Sequence, residues 1–288
     1  MKIKQLIKKA LKVIFAKRPI HVTANITSAA PSELLKGRCA LITGGTSGIG
    51  FAIAKAFLDA GASVVITGRS QERLGKACAA LGCDGRVYSC VLDNRDVKSF
   101  ASTFQSILGK IRRGGVNDID ILVNNAGVLG ACMPNADEET YDAVLDTNLK
   151  GVFFLSQLVG KHFRDNNIKG NILNVASSSS LRPAHSAYTL SKWGIRGLTL
   201  GLAKCLAPYG ITVNGVAPGP TATPMLLKEG QTNIHHDGIP LGRYVMPEEI
   251  ANMAVFLTSE MGRSILGDIV YMTGGAGVFS LDDMNYTF

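Results

Sequence analysis

Two side chains with complementary chemistry, Tyr188 and Lys192, stand four residues apart in the small-residue stretch SAYTLSKWG at 186–194. On a helix this spacing places both side chains on one face, one turn apart. Free tyrosine has a pKa of about 10, too high for efficient proton transfer at neutral pH, and a neighbouring ammonium group lowers that pKa. The pair is therefore a candidate acid–base group, although the same spacing also occurs in exposed helix pairs that contribute about 0.2–0.5 kcal/mol.

A glycine-rich stretch, TGGTSGIG at 43–50, lies between an apolar segment at 39–43 and a helical pattern from Ile49 to Ala60. A second apolar segment follows at 63–67. Glycines let the backbone approach a pyrophosphate, and the helix that follows points its N-terminus at the same group. This order of strand, turn, helix and strand predicts a dinucleotide site rather than an ordinary tight turn.

The end of the second predicted strand indicates which dinucleotide is bound. A site for NAD usually has an acidic residue there, which binds the ribose hydroxyl. Here the residues are Thr67, Gly68, Arg69 and Ser70, with no carboxylate among them. Arg69 could bind a 2′-phosphate, so we predict NADP as the cofactor, with NAD as the alternative if Arg69 is only a solvated side chain.

Apolar segments and amphipathic helical patterns alternate along the rest of the chain. This alternation predicts a Rossmann-like, doubly wound parallel sheet of about seven strands, with helices on both faces. Ligands of such sheets bind at the carboxyl ends of the strands. Five further strands are predicted within 86–93, 119–127, 170–178, 210–219 and 267–275.

The net charge of +8 is concentrated at the start of the chain, because residues 1–18 contain six Lys, one Arg and no acidic residue. The rest of the chain carries only +1, which argues against a nucleic-acid partner. The six cysteines form no C-x-x-C pair, and the His and Cys residues lack the spacing of metal ligands. We therefore expect a cytoplasmic protein without a metal site.

Residues 1–18 are amphipathic as well as basic. Apolar residues recur at helical spacing from Ile3 to Ile14, and Pro19 would end such a helix. Lysines interrupt the apolar residues too often for a secretory signal or a membrane span. The segment could bind an anionic membrane surface, dock on its own oligomer or fray. We predict a basic amphipathic helix and linker at 1–36 and a single catalytic domain at 37–288.

Taken together, the motifs over about residues 36–280 resemble those of the short-chain dehydrogenase/reductase family, in its form of roughly 250 residues. The matching motifs are TGGTSGIG at 43–50, Asp93, NNAG at 124–127, Asn148, Tyr188-x-x-x-Lys192 and PGPTATPM at 218–225. The resemblance implies a set of cofactor-binding residues: Gly44, Thr46, Ser47, Gly48, Ile49, Gly50, Arg69, Asp93, Asn125, Ala126, Gly127, Tyr188, Lys192, Pro218, Gly219, Thr221 and Thr223.

The resemblance also implies catalytic roles for four residues. In the reduction of a carbonyl group, Tyr188 would give its proton to the substrate oxygen and Ser177 would hydrogen-bond that oxygen. Lys192 would tune Tyr188 and bind the nicotinamide ribose, and Asn148 would hold a water connected to Lys192. The register of NVASSSSLRP at 174–183 selects Ser177, with Ser178 as the alternative and the next two serines as loop filler.

The spacing of Tyr188 and Lys192 resembles that of enzymes acting on carbonyl and alcohol groups, because related enoyl reductases separate the two residues by seven. The predicted function is NADP-dependent interconversion of a ketone and a secondary alcohol. The alternatives are an NAD-dependent hydroxysteroid or sugar dehydrogenase, a 3-oxoacyl-carrier-protein reductase, a dinucleotide-binding scaffold and a membrane-recruited adaptor. Tyr209 stands where carrier-protein reductases usually have Arg, which weakens that alternative.

The substrate is predicted to be a small carbonyl or alcohol compound, and the family keeps a mobile substrate loop where this chain has residues 225–245. Lys228, His235 and His236 in that loop, and His185 near Tyr188, could contact a polar substrate or be solvated. The resemblance further implies a homo-oligomer, a dimer or tetramer. Its contacts would lie on the helix within 240–260 and the closing strand TGGAG at 273–277.

Overall fold

Strands and helices alternate through residues 33–82, 85–227 and 233–278, which are the residues that the computed structural model describes. The predicted N-terminal helix therefore lies outside the described residues. The strands are β1 (Cys39–Ile42), β2 (Ser63–Gly68), β3 (Val87–Val91), β4 (Ile121–Asn124), β5 (Asn171–Val175), β6 (Thr212–Pro218) and β7 (Ile269–Met272). The helices are α1 (Gly48–Asp59), α2 (Gln71–Leu81), α3 (Phe100–Arg113), α4 (Glu138–Leu145), α5 (Gly151–Asp165), α6 (Ala187–Leu206) and α7 (Pro247–Thr258).

The seven strands of the described residues form one parallel sheet in the order β3-β2-β1-β4-β5-β6-β7. This confirms the predicted Rossmann-like sheet. The chain moves outward on one side from β1 to β3, then crosses back so that β4 pairs with the other side of β1, with Ala40 beside both Val64 and Ile121. Such a reversal opens a crevice at the carboxyl ends of β1 and β4.

Helices cover both faces of the sheet, which explains why its strands are continuous apolar runs. On one face, Phe57 of α1 and Ile250 of α7 belong to a buried cluster with side chains of β1 and β2. On the other face, Phe104 of α3 and Phe163 of α5 form a second buried cluster. All four side chains have no more than 2% of their surface exposed, so the sheet is a rigid support for the residues at its edge.

Serine side chains fix the starts of two helices at the carboxyl edge of the sheet. Ser70 caps α2 by accepting a hydrogen bond from the Arg73 N–H, and Ser186 caps α6 by accepting one from the Thr189 N–H. A π-helical turn, Asp146–Lys150, joins α4 to α5. Within the described residues, no helix is long and apolar enough to cross a bilayer.

Candidate active site

The glycine-rich turn follows β1, and two of its glycines need a backbone conformation that other residues rarely adopt. Gly44 and Gly48 have φ values of +65° and +56°. A Cβ atom on Gly50 would lie 2.5 Å from the Gly44 carbonyl O and would clash with the side-chain amide of Asn125. The turn is therefore packed so closely against the segment after β4 that a side chain at Gly50 would push the two apart.

Thr43, at the end of β1, connects this turn to the NNAG segment. Its Oγ1 accepts hydrogen bonds from the N–H groups of Asn125 and Ala126, at 3.0 and 3.1 Å. The Asn125 side chain returns hydrogen bonds to the carbonyl groups of Thr43 and Gly44, at 2.9 and 3.1 Å. The two adjacent strand ends are thus held in one fixed arrangement at the crevice.

A cavity of about 820 Å³ occupies the crevice at the carboxyl edge of the sheet. Nearly all of the predicted site residues line it, with two exceptions, Gly50 and Asn148, which lie behind the wall and support it. The predicted residues on the wall are Gly44, Thr46, Ser47, Gly48, Ile49, Arg69, Asp93, Asn125, Ala126, Gly127, Ser177, Tyr188, Lys192, Pro218, Gly219, Thr221 and Thr223.

At one end of the cavity, basic side chains follow β2. Arg69 lines the wall together with Ser70, which caps α2, and Arg73 in the first turn of that helix. Asp93, which follows β3, faces the same end and is held by Arg95 through a hydrogen bond of 2.7 Å. The hydrogen bonds from Arg95 lower the pKa of Asp93, so its carboxylate stays ionised.

At the other end, Tyr188 and Ser177 lie side by side on the wall. Tyr188 is in the first turn of α6, and Ser177 follows β5. Burial raises the pKa of Tyr188, and a hydrogen bond with the Ser177 hydroxyl opposes that rise without cancelling it. In the protein without its cofactor, the loss of hydration therefore dominates the pKa of Tyr188, and the lowering that we expect from Lys192 together with an oxidised nicotinamide ring stays a prediction.

Lys192 is buried one turn along α6, with its Nζ 5.6 Å from the centre of the Tyr188 ring. The Nζ donates a hydrogen bond of 2.8 Å to the Val175 carbonyl O at the end of β5. Burial lowers the pKa of Lys192 to about 8, because the charged ammonium group loses hydration that one carbonyl group does not replace.

Asn148 lies in the π-helical turn, and its side chain joins three parts of the site. Its Oδ1 accepts from the Val128 N–H at 2.8 Å, and its Nδ2 donates to the Val128 carbonyl O at 2.9 Å. The Nδ2 also donates to Ser191 Oγ at 3.2 Å, and Ser191 in turn donates to the Tyr188 carbonyl O. Asn148 thus fixes the NNAG segment relative to the helix that carries Tyr188.

Among the other serines after β5, the interpretation of Ser180 as loop filler is wrong. Ser180 is fully buried, donates to the Ser177 carbonyl O at 2.8 Å and hydrogen-bonds to the Tyr271 hydroxyl at 3.1 Å. It therefore anchors the backbone that carries Ser177 to β7. Ser178, the alternative to Ser177, also lines the cavity, but Ser177 is the serine that acts on the pKa of Tyr188.

The histidines considered as substrate contacts lie away from the cavity wall. His235 is held by a hydrogen bond of 3.0 Å to Asp237, and the His236 ring packs edge-on against Tyr244. His185 is not among the wall residues, although its carbonyl group accepts a hydrogen bond from the Met133 N–H. Lys228 lies outside the described residues.

Sequence reasoning missed several residues of the wall. Arg73 is one turn into α2, and its spacing from Arg69 could have suggested that both side chains face the same end. Arg182 lines the cavity, and so do the apolar side chains of Leu129, Met225 and Leu226. These residues follow no local pattern that distinguishes them from ordinary loop residues.

The residues present fit a nicotinamide dinucleotide. The glycine turn lines the cavity, and the Ser47 side chain does not cap α1, so the first N–H groups of that helix are free to bind phosphate. The cations after β2 lie on one side of this turn and the Ser177–Tyr188 pair on the other. Within the described residues, no group of three His, Cys, Asp or Glu side chains could hold a metal ion.

Comparison with known proteins identifies many relatives. Residues 44–277 match a family model described as enoyl-(acyl carrier protein) reductase. The chain is 37% identical to the 3-oxoacyl-(acyl-carrier-protein) reductase FabG of Thermotoga maritima over 247 residues, which cover 84% of this chain and 98% of that protein. It is 35% identical to a 3alpha-hydroxysteroid dehydrogenase of Mediterraneibacter gnavus over 254 residues, which cover 84% of this chain and 98% of that protein.

Solved structures also include chains that are similar to this one. The 3-ketoacyl-(acyl-carrier-protein) reductase of Brucella melitensis, crystallised with NADH, superposes with a TM-score of 0.76. It is 31% identical in sequence, and the match covers 85% of this chain and all of that chain.

Proposed function

Because the chain belongs to the short-chain dehydrogenase/reductase family, we propose that it reduces a ketone to a secondary alcohol with NADPH and catalyses the reverse reaction with NADP⁺. It is an oxidoreductase that acts on CH–OH groups with a nicotinamide cofactor. The observation that carries the proposal is that Ser177 and Tyr188 share the wall of the cavity that contains the glycine-rich turn, close enough for the Ser177 hydroxyl to affect the pKa of the Tyr188 phenol.

In this proposal Tyr188 is the proton donor for reduction. Its phenol carries a proton at neutral pH, and the Lys192 ammonium beside the ring favours release of that proton when negative charge develops on the substrate oxygen. Ser177 hydrogen-bonds the same oxygen and stabilises that charge. When bound, the cofactor supplies the hydride, and the protein holds the substrate carbonyl in position beside it.

We assign Lys192 and Asn148 different roles. Lys192 places its ammonium group beside the Tyr188 ring, where it stabilises the phenolate once the proton has left. Asn148 is a positioning residue, because its hydrogen bonds to Val128 and Ser191 fix the relative placement of two walls of the site. The water that the family resemblance places on Asn148 stays a prediction.

The preference for NADP is supported by the charges after β2. Arg69 and Arg73 face the cavity together with the Ser70 hydroxyl, and the first three residues after β2 include no carboxylate. A dianionic 2′-phosphate at this position would gain charge-assisted hydrogen bonds, each worth about 1.5–3 kcal/mol. NAD lacks this phosphate and would leave both guanidinium groups without that partner.

The reaction we propose is carbonyl reduction, although the family model that matches residues 44–277 is described as enoyl-(acyl carrier protein) reductase. Tyr188 and Lys192 lie one turn apart on α6, the spacing that the resemblance associates with carbonyl and alcohol substrates. The curated relatives given above are named for 3-oxoacyl reduction and hydroxysteroid oxidation, both of which act at a carbonyl or alcohol carbon.

The substrate end of the cavity favours a lipophilic ketone. Leu129, Met225 and Leu226 line this end, and each has about half of its surface exposed at the mouth. A substrate with an apolar chain would cover these side chains, which releases water from them. A 3-oxoacyl thioester is the second candidate, supported by the names of the relatives and by the same apolar mouth.

The experiment that tests the function follows NADPH absorbance with a panel of ketones, including steroid, sugar and short-chain 3-oxoacyl thioester substrates. The Tyr188→Phe variant should lose turnover by at least about 100-fold, because general acid catalysis contributes at least that factor. The matched control is Tyr141→Phe, which changes an exposed tyrosine of α4 and should leave turnover unchanged. Full activity of Tyr188→Phe would refute the assignment.

We also propose that the chain forms a homo-oligomer. The contacts that the resemblance implies, on α7 and the closing strand, stay a prediction, and large apolar side chains are also exposed on α5 and α6. These are Phe153, Phe154, Leu190, Trp193 and Leu200. Light scattering of the purified chain would measure the size of the assembly.

A further inference from the structure

Four buried polar side chains form a continuous hydrogen-bonded row on the face of the sheet that α5 and α6 cover. Asn124, the last residue of β4, donates from its Nδ2 to the Ser156 Oγ of α5 and to the Asn174 Oδ1 of β5, both at 2.9 Å. The Asn174 Nδ2 in turn donates to the Thr199 Oγ1 of α6 at 2.9 Å. None of the four residues has more than 2% of its surface exposed. We call this row the polar bridge.

The polar bridge fixes the position of α6 along β5. Apolar contacts in the same interface have no preferred direction, whereas a hydrogen bond weakens steeply once its distance and angle change. The Thr199 hydroxyl donates its proton to the Ile195 carbonyl O at 2.8 Å, which leaves its oxygen to accept from Asn174. Without that acceptor, the buried Asn174 amide would have lost its hydration with no partner in return.

The same strand and helix are joined a second time at Lys192. Thr199 follows Lys192 by two helical turns, so both buried side chains lie on the face of α6 that packs against the sheet. Val175 follows Asn174 at the end of β5, and its carbonyl O accepts the hydrogen bond of 2.8 Å from the Lys192 Nζ. A shift of α6 that broke the contact between Thr199 and Asn174 would therefore also move Lys192 relative to Val175.

We propose that Thr199 and Asn174 are positioning residues, which hold the Lys192 ammonium group at the end of β5 and beside the Tyr188 ring. Neither residue lines the cavity, so each acts through Lys192 and not by contact with substrate or cofactor. The effect on turnover rests on the proposed function, in which Lys192 stabilises the Tyr188 phenolate. When the Thr199 hydroxyl is removed, the Asn174 amide needs another partner, and the movement that supplies one separates Lys192 from Val175 and hydrates the ammonium group.

The kinetic test compares Thr199→Val with Thr199→Ser in the reduction of a ketone by NADPH. Valine keeps the shape of the threonine side chain without its hydroxyl group, whereas serine keeps the hydroxyl group. Thr199→Val should lower kcat at least about tenfold with little change in KM, because a misplaced Lys192 slows the chemical step more than it weakens binding. Thr199→Ser should keep most of the parent kcat. Thr199→Cys supplies a weaker acceptor, so its kcat should lie between the two, which keeps the test usable where Thr199→Val does not fold.

Thr258→Val is the matched control for a loss of stability. Thr258 is a buried threonine of α7, and its Oγ1 donates to the Ala254 carbonyl O at 2.8 Å, as Thr199 donates to the carbonyl group four residues before it. The helix that carries Thr258 holds none of the residues that we assign to the reaction. This variant should lose stability and keep the kcat of the parent at a temperature where both proteins are folded.

A second readout needs no turnover. In the parent, burial lowers the pKa of Lys192 to about 8, so stability rises with pH between that value and the ordinary pKa of 10.5. Better hydration of Lys192 in Thr199→Val raises the folded pKa, so this rise should shrink when Thr199→Val is compared with Thr199→Val/Lys192→Met by urea unfolding. Within the described residues, no charged side chain contributes to the lowered pKa of Lys192. Tyr188, the titratable group beside it, is present in both proteins compared.

The proposal is overturned by a parent-like kcat in Thr199→Val, or in Thr199→Cys where the valine variant does not fold. An equal loss of kcat in Thr258→Val, or a Thr199→Ser variant as slow as Thr199→Val, would overturn it as well. An unchanged pH dependence of stability in Thr199→Val would also do so, because Lys192 would then have kept its surroundings. If the parent chain reduces no ketone with NADPH, the proposed function fails, and the pH dependence of stability alone decides whether Thr199 positions Lys192.

Discussion

Replacing Lys192 with methionine should change how the stability of the protein depends on pH. Lys192 is buried beside Tyr188, and the only hydrogen bond of its side chain within the described residues goes to the Val175 carbonyl O. Methionine keeps most of the side-chain volume and cannot be protonated. The difference in unfolding free energy between the two proteins therefore isolates the protonation of Lys192 from the other titrating groups.

The magnitude follows from the two pKa values of the lysine. Burial lowers the pKa from its ordinary value of 10.5 to about 8. Between these values the unfolded chain holds a proton that the folded protein has released, so the free energy of unfolding rises with pH. At about 1.4 kcal/mol per pH unit, the parent should gain about 2 kcal/mol relative to Lys192→Met between pH 7 and about pH 9.5. The gain is complete above the unfolded pKa and is lost as pH falls through about 8.

The assay is urea unfolding of the cofactor-free protein at several pH values in this range, with the slope checked for constancy. Lys55→Met is the matched control, because Lys55 is an exposed lysine on α1. Its stability should run parallel to that of the parent at every pH, because this substitution leaves Lys192 in place.

Parallel pH profiles for the parent and Lys192→Met would refute the reasoning. They would mean that Lys192 stays charged in the folded protein, so the loss of hydration on burial would be fully compensated within the site. A steeper gain than about 2 kcal/mol would instead indicate that the folded protein holds Lys192 neutral well below pH 8.

Three further predictions concern the cofactor side and the support of the site. Arg69→Ala should weaken NADPH by about 10-fold or more while changing NADH little, measured by thermal shift at matched concentrations; equal losses would contradict the assigned 2′-phosphate contact. Gly50→Ala should destabilise the protein by about 1–3 kcal/mol and weaken both dinucleotides, whereas Gly75→Ala, with open space around its Cβ position on α2, should stabilise it by about 0.5–1 kcal/mol. Asn148→Ala should lower kcat and change KM little, because it loosens the placement of Tyr188 through Ser191. An unchanged kcat would show that these hydrogen bonds do not position Tyr188.

Much of the fold could be predicted because its signals are local. Each strand is a short apolar run that ends in glycine or a polar residue, and such runs are buried on both sides of a parallel sheet. The glycine turn after β1 could be identified because Gly44 and Gly48 adopt a backbone conformation that few other residues tolerate. The acid–base pair could be identified because helical geometry alone places Tyr188 and Lys192 together.

The electrostatics of the site could not be predicted in the same way. The sequence places a cation near Tyr188, which by itself would lower the pKa of the phenol. The packed structure surrounds both groups with protein, and the lost hydration raises the pKa of Tyr188 and lowers that of Lys192. Burial is a property of the whole fold. The spacing of two residues therefore cannot show whether lost hydration or a nearby charge determines the pKa.

By itself, then, the sequence determined the parallel sheet, the glycine turn and the residues that could transfer a proton, because each rests on interactions between near neighbours in the chain. The tertiary structure alone decided that Ser180 anchors the Ser177 backbone to β7 and that Asn148 joins the NNAG segment to α6. These arrangements join residues that are far apart in the chain, and only the packing of the sheet and its helices brings them into contact.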